Sequence, residues 1–259
     1  MRQFRAEQLE GTARLKLELA AVDQPLAEKL GINKVCELTQ INDEIAVFSQ
    51  ENQQLILNLT LDNKVQQLAF SLDDGDVANR AAKVSKSNEL IAKAIGCKPY
   101  FRPNVLDATA GMGRDSLIML MLGCRVTMQE RNPAIFILLE NAVSRLQTNP
   151  QIDQSIFERL KLAKANSLDS MTENQELEVI YLDPMFPERK KSALVKKEMR
   201  LFKRIAGEDP DADNLLLTAL DTSVPRVVVK RPKGSESLAN KKPSHQIIGK
   251  KFRFDVYLK

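Results

Sequence analysis

Apolar residues recur along this chain with two different periods, and the change between them separates two regions. Three short runs at 44–48, 55–61 and 65–71 have the length and composition of strands. Gln50-Glu51-Asn52 and Asp62-Asn63-Lys64 fall between them and suit turns, which predicts a small meander. Ahead of the meander, Asp23 suits the N-cap of a helix running to about Leu30, with Gly31 as its stop signal. The acidic, glycine-containing Asp73-Asp74-Gly75-Asp76 then reads as a boundary. The expected organisation is a small α+β domain over 1–76 and a larger domain over 77–259.

Beyond the boundary, strands alternate with helices. A helix is expected over 88–95, a strand over 105–107, a helix over 115–122, a strand over 125–130 and a helix through about Arg145. Further strands are expected at 160–165 and 179–182, with one or two helices inside 193–220. A valine-rich strand at 226–230 follows, and the chain closes with strands 246–248 and 252–258 around the turn Gly249-Lys250-Lys251. Such alternation predicts an α/β, Rossmann-like fold: an open, mostly parallel sheet with helices on both faces and a terminal antiparallel hairpin. Periodicity is silent on the strand order.

Composition narrows the class. With 259 residues, 43% hydrophobic and 28% charged, the chain can bury a sizeable core. A net charge of +4 is too small to indicate nucleic-acid binding unless the positive charge is clustered. Cys36, Cys97 and Cys124 are widely spaced, and His245 is the single histidine, so neither a metal site nor a disulfide framework is expected. The N-terminus shows no apolar signal core and no apolar run reaches membrane length, so the expected location is the cytoplasm, without a membrane partner.

Candidate chemistry begins at Asp107-Ala108-Thr109-Ala110-Gly111-Met112-Gly113-Arg114-Asp115, between a strand and a helix. Gly111 and Gly113 allow a sharp turn and close approach of a ligand to the backbone. The next strand ends in Glu130, whose carboxylate can accept both hydroxyls of an adenosine ribose. A glycine pair alone is often a packing device, and a strand-end Glu is often only solvated; their spacing together favours a nucleoside cofactor. A dinucleotide fold would bring a third glycine and seat a pyrophosphate on the helix N-terminus. Here Arg114 and then Asp115 follow Gly113, and an acid there repels phosphate. Asp107 and Asp115 suit the positive amino group and sulfonium of S-adenosylmethionine.

The fourth apolar strand runs into Asp183-Pro184-Met185-Phe186-Pro187, a stiff loop at the sheet edge where ligands bind in such folds. A conjugated exocyclic amine is a poor nucleophile because its lone pair is delocalised. The Asp183 carboxylate and the Pro184 carbonyl can hold both amine hydrogens and aim the lone pair, while Phe186 can stack on a base for about 1–3 kcal/mol. Taken alone, the loop is equally a stiff turn around a buried phenylalanine; its place after the glycine turn favours the functional reading. Basic residues follow at Arg189, Lys190, Lys191, Lys196 and Lys197, then at Arg200, Lys203 and Arg204. A second group, Lys230, Arg231, Lys233, Lys241 and Lys242, leaves the fifth strand. Charge runs are usually solvated faces, but two beside one pocket suit RNA phosphates. His245 reads as a surface residue of the hairpin.

With these residues in view, the chain resembles the bacterial ribosomal small subunit methyltransferase J family from about Ala92 to Val256. The specific segments are Asp107 to Asp115, Glu130-Arg131-Asn132-Pro133, Tyr181 to Pro187, Lys190 to Arg200, and Arg226-Val227-Val228-Val229-Lys230-Arg231-Pro232. The resemblance implies a class I methyltransferase fold and transfer of a methyl group to the N2 amine of a guanosine near the 3′ end of 16S rRNA. Its implied partner is the small ribosomal subunit or an assembly intermediate. It further implies methyl-donor contacts at Arg114, Asp115, Glu130, Arg131, Asn166, Ser167 and Asp183. Met185 stands where related amine methyltransferases carry a second proline, as it does in the family itself. The stretch 78–88 departs from the family's His-, Arg- and glycine-rich pattern.

Three other functions stay in play on the sequence. An adenine-N6 or glutamine-N5 methyltransferase would present similar amine-binding atoms. An RNA-binding assembly factor would use the methyl donor only to stabilise its fold. A nicotinamide oxidoreductase fits the glycine turn least well.

Overall fold

The computed structural model describes residues 5–9, 12–16, 36–37, 46–61, 64–73, 83–84, 89–171, 176–186, 197–207 and 209–259. In chain order the first elements are β1 (Arg5–Leu9), β2 (Thr12–Lys16), β3 (Cys36–Glu37), β4 (Ala46–Glu51), β5 (Gln54–Leu61) and β6 (Lys64–Ala69). Next come α1 (Leu90–Ala94), β7 (Asn104–Asp107), α2 (Arg114–Met121), β8 (Arg125–Glu130) and α3 (Pro133–Thr148). After a 3-10 turn at Gln154–Arg159 follow β9 (Leu160–Lys164), α4 (Ser167–Ser170), β10 (Val179–Leu182), α5 (Lys197–Ala206) and α6 (Ala212–Asp221). The chain ends with β11 (Arg226–Pro232), a 3-10 turn at Leu238–Asn240, β12 (His245–Ile248) and β13 (Phe252–Leu258). The helix expected from Asp23 to Leu30 lies outside the described residues.

Contacts group the chain into two compact units that are not contiguous in sequence. The first contains Met1–Ser71, Asn132–Thr148 and Phe186–Glu208; the second contains Leu72–Arg131, Asn149–Met185 and Asp209–Lys259. The division expected at residue 76 is a single cut, whereas α3 and α5 group with the N-terminal strands. The reason lies in the apolar face of the meander. Leu55, Leu57 and Leu59 of β5 are buried, and α3 packs on that strand. Asn141 of α3 accepts from the Leu55 N–H at 2.9 Å and donates to the Gln53 carbonyl at 2.9 Å. Arg145 donates to the Phe70 carbonyl at 3.2 Å, and Phe70 meets Phe202 of α5 at 5.9 Å between ring centroids. A two- or three-stranded sheet needs such a helix cover to be stable. The meander's first turn sits at Asn52 and Gln53, both with positive φ, as a two-residue hairpin requires. β1, β2 and β3 form a separate antiparallel sheet.

In the second unit, seven strands form one sheet in the order β12-β13-β11-β10-β7-β8-β9. β11, β10, β7, β8 and β9 run parallel, while β13 enters antiparallel to β11 and pairs with β12 as a hairpin. Val105, Leu106, Ile180, Leu182, Val227, Val228 and Val229 are all buried, as strands covered on both faces should be. The chain moves outward one way from β7 to β8 and the other way from β10 to β11. Right-handed crossovers therefore place α2 and α6 on opposite faces. This reversal opens a crevice at the carboxyl ends of β7 and β10, the ligand position of such sheets. The α/β, mostly parallel architecture with a terminal antiparallel hairpin is the one expected from the alternation of elements.

Candidate active site

Everything at the crevice starts from the turn after β7. Ala108 N–H donates to the Tyr181 carbonyl of β10 at 3.0 Å, and Ala110 N–H donates to the Gln129 carbonyl of β8 at 3.0 Å. The turn is thus stapled to both neighbouring strands. Gly111 (φ 53°) and Gly113 (φ 71°) occupy the left-handed region, where a side chain would add strain. The Gly111 N–H donates to a Glu130 carboxylate oxygen at 3.0 Å, so the two residues singled out by their spacing meet directly.

Asp107 closes β7 and is buried, 2% exposed. The Ser116 hydroxyl donates to it at 2.5 Å and the Thr109 N–H at 3.2 Å. Burial pushes its carboxyl up to about 7; these two hydrogen bonds oppose the shift, and the charges of Asp115 and Asp183 add to it.

Asp115, in the first turn of α2, accepts from the Tyr181 hydroxyl at 2.6 Å and from Lys230 Nζ at 2.7 Å. Lys230 Nζ also reaches Asp183 Oδ2 at 2.8 Å and lies 5.4 Å from the centroid of the Phe252 ring. The Asp183 N–H donates to Thr109 Oγ1 at 2.6 Å, which ties the loop after β10 to the glycine turn. Burial works against the charge on Lys230, but Asp183 and Asp115 outweigh it and hold its pKa above the ordinary lysine value. For Asp183, burial and the charges of Asp115 and Asp209 push the carboxyl up; Lys230 pulls it back only in part and leaves it above the ordinary value. Burial and the neighbouring carboxylates also push the Tyr181 phenol well up, so it stays a hydrogen-bond donor.

Two of the expected RNA contacts, Lys230 and Arg231, have partners within the protein. Lys230 turns inward onto two carboxylates, and Arg231 is buried, 8% exposed, with its guanidinium on the Glu236 carbonyl at 2.6 and 3.0 Å. Successive strand residues face opposite sides of the sheet, and each of these found its partners on its own side. Arg189, Lys190, Lys191 and Lys196 lie outside the described residues, and of Lys197 only the backbone is described.

The remaining expected residues take up varied positions. Arg131 pairs with Asp211 at 2.6 Å and with Asp209, and Asp209 accepts from the Met185 N–H at 2.6 Å. Asn166 caps α4 by accepting from the Leu168 N–H. Ser167 is buried, its hydroxyl 2.7 Å from the Ala108 carbonyl and 2.8 Å from Gln129 Oε1. Pro184 is buried; Phe186 is half-buried and falls in the first unit. His245 is exposed on β12.

Sequence reasoning missed Thr109, Tyr181, Gln129 and Asp209. Thr109 stood inside the glycine motif, and Asp209-Pro210-Asp211 ahead of a helix was a visible signal; the roles of Tyr181 and Gln129 had none. Chemically, the arrangement offers carboxylates at the ends of β7, β8 and β10 around a glycine turn. In the hydrogen-bonded set of Asp115, Lys230 and Asp183, two carboxylates meet one ammonium, with buried Asp107 close behind. Such a site suits a ligand that carries positive charge.

The chain is similar to known proteins over most of its length. A protein-family model described as "Putative SAM-dependent methyltransferase" matches residues 31–259. Ribosomal RNA small subunit methyltransferase J of Shewanella sediminis is 46% identical over 210 residues, 81% of each chain. The protein of the same name from Photobacterium profundum is 43% identical over 239 residues, 88% of this chain and 93% of that one. Among solved structures, a SAM-dependent methyltransferase from Neisseria gonorrhoeae superposes with a TM-score of 0.63 at 32% identity, covering 85% of each chain. Among the described residues no helix is long and apolar enough to cross a membrane.

Proposed function

Because this chain belongs to the ribosomal RNA small subunit methyltransferase J family of SAM-dependent methyltransferases, we propose that it methylates the N2 amine of a guanosine near the 3′ end of 16S rRNA. The residues present fit S-adenosylmethionine. Glycines at 111 and 113 hold the turn at positive φ without a side chain, and the Glu130 carboxylate beside it suits the ribose hydroxyls. Asp107 and Asp115 give the negative surroundings that the donor's amino group and sulfonium need. Arg114, Arg131, Asn166 and Ser167 complete the expected donor site, with Asn166 and Ser167 on the adenine side. When bound, the donor supplies a methyl carbon already activated by the positive sulfur.

Asp183 is the observation that carries the reading. Its backbone is fixed on Thr109 and its carboxylate on Lys230, at the end of β10 and next to buried Pro184. A carboxylate held there accepts one amine hydrogen, the Pro184 carbonyl accepts the other, and the nitrogen lone pair is left aimed at the methyl carbon. The donor would supply the methyl group and leave as its neutral thioether, while Asp183 and Pro184 keep the amine aligned. The methylated amine then gives one proton to solvent. Alignment of this kind is worth roughly 7–11 kcal/mol, enough to make a dedicated general base unnecessary. Phe186 stacks on the guanine, which must first be splayed from its neighbours.

Arg189, Lys190, Lys191, Lys196 and Lys197 supply the phosphate contacts in this reading, and the enzyme works in the cytoplasm on the small subunit or its precursor. The test is to incubate the protein and labelled donor with small subunits from cells lacking the activity, then digest the RNA for nucleoside mass spectrometry. N2-methylguanosine at one site near the 3′ end is expected. Methyladenosine, or label on protein alone, would sink the assignment.

A further inference from the structure

Lys230 belongs to the strand segment that pointed to RNA, yet the fold gives it another task. It is the cation between two carboxylates that come from different elements, Asp115 at the start of α2 and Asp183 after β10, at 2.7 and 2.8 Å. Side-chain exposure rises across this set, from 15% at Asp115 through 24% at Lys230 to 36% at Asp183. The order decides the geometry: Asp115 and the Tyr181 phenol anchor the inner end, and Asp183 stands at the mouth. Phe252 covers a further part of the ammonium. A lysine suits the task because one compact charge with three donors serves two acceptors at once.

We infer that Lys230 is a positioning residue, which keeps Asp183 ionised and holds its Oδ2 so that Oδ1 meets the acceptor amine. The inference rests on the proposed function, in which Asp183 accepts an amine hydrogen. A protonated Asp183 would present a hydroxyl to an amine that is itself a donor, and the alignment would be lost. Burial pushes most strongly towards that protonated form, and several neighbours add to it. Asp115 faces Asp183 from α2, Asp209 from the segment before α6, and Asp107 from the end of β7. The Tyr181 phenol on β10 gives its hydrogen bond to Asp115 instead. Lys230, on β11, opposes these three carboxylates with its single charge.

The test compares wild-type protein with Lys230→Gln and Lys230→Arg in single-turnover methyl transfer to undermethylated small subunits, across pH. For K230Q the rate near neutral pH should fall about 100-fold. Its acid limb should move up by about one pH unit or more, so that activity partly returns in alkali. Donor affinity, read by calorimetry, should hold or tighten, because a positive charge near a positive ligand has been removed. K230R should recover most of the rate. A K230Q profile parallel to that of the wild type, or equal loss of donor binding and rate, overturns the inference. Should K230Q not fold, the carbon-13 carboxyl signal of Asp183 in wild-type protein decides: it should be that of an ionised carboxylate at the pH of the transfer assay, and a protonated carboxyl there overturns the inference. Wild-type protein that binds donor but methylates no guanine amine overturns the proposed function instead.

Discussion

Two clusters of charge lie in the same seven-stranded unit, one buried and one half-buried, and they are built on opposite terms. At the terminal hairpin, Arg253 and Asp255 are 5% and 0% exposed. Arg253 gives its remaining hydrogen bonds to the carbonyls of Pro232, Lys233 and Ser235, and Asp255 also accepts from Gln246 at 2.7 Å. Buried Arg231 lies near both, so cations outnumber the carboxylate here, and Asp255 is fully engaged. At the carboxyl edge, Lys230 serves both Asp115 and Asp183, and Asp107 is buried with a carboxyl that has been pushed up to about 7. The edge cluster is left short of positive charge, which a cationic methyl donor can supply. A fold that only needed stability would have built the first arrangement twice.

Breaking the hairpin pair gives the largest effect. Arg253→Leu leaves Asp255 buried without its cation and should cost about 3–5 kcal/mol in denaturant unfolding, while the rate per folded molecule stays near that of the wild type. Comparable losses of rate and stability would mean that the two clusters are not separate in function.

Asp107 should show the opposite balance, stability given up for ligand binding. Its pKa is raised on folding from 3.8 to about 7, so the folded state holds the proton more tightly. That contribution is fully present below the unfolded value and is lost as pH rises through the folded one. Relative to Asp107→Asn, wild-type protein should therefore lose stability as pH climbs from about 4 to about 7, by up to about 4 kcal/mol. Thermal unfolding of the pair across that range checks it, and a constant difference contradicts it. Donor affinity of the wild type should rise over the upper part of the same window, as the carboxylate ionises.

Asp183→Asn keeps the shape of the side chain and removes its charge. Methyl transfer should fall about 100-fold, near 3 kcal/mol of transition-state stabilisation, with little change in melting temperature. Retained activity would remove Asp183 from the chemistry. Glu130→Gln should weaken donor binding by about 10-fold or somewhat more through loss of charged hydrogen bonds, with the single-turnover rate at saturating donor unchanged. The smallest effect belongs to exposed His245: its replacement by Ala should alter stability by no more than about 0.5 kcal/mol, as the control outside both clusters.

Much of this architecture was legible in the sequence. The strands 125–130, 179–182 and 252–258 lie where the apolar runs place them, because short buried strands between turn residues announce themselves locally. Gly111 and Gly113 adopt the positive φ for which glycine is suited. The hydrogen bond from the Gly111 N–H to Glu130 was not legible, because spacing along the chain does not say which groups meet across two strands. The 3-10 turns at Gln154–Arg159 and Leu238–Asn240 escaped notice, since they carry no long-range period. Grouping of α3 and α5 with the meander also escaped, because an amphipathic helix states that it has a partner and not which one.

By itself, the sequence determined the alternation of strands and helices, the glycine turn, and the carboxylates that end β7, β8 and β10. Those features follow from side-chain period and backbone sterics, which act over a few residues. Only the tertiary structure decided which charges face one another. Lys230 and Arg231 look alike along the chain, yet Lys230 joins Asp183, 47 residues away, to Asp115, 115 residues away, while Arg231 is fixed on the carbonyl of Glu236. Desolvation and Coulomb attraction depend on distance through space and on access to water, and neither quantity exists until the sheet has formed.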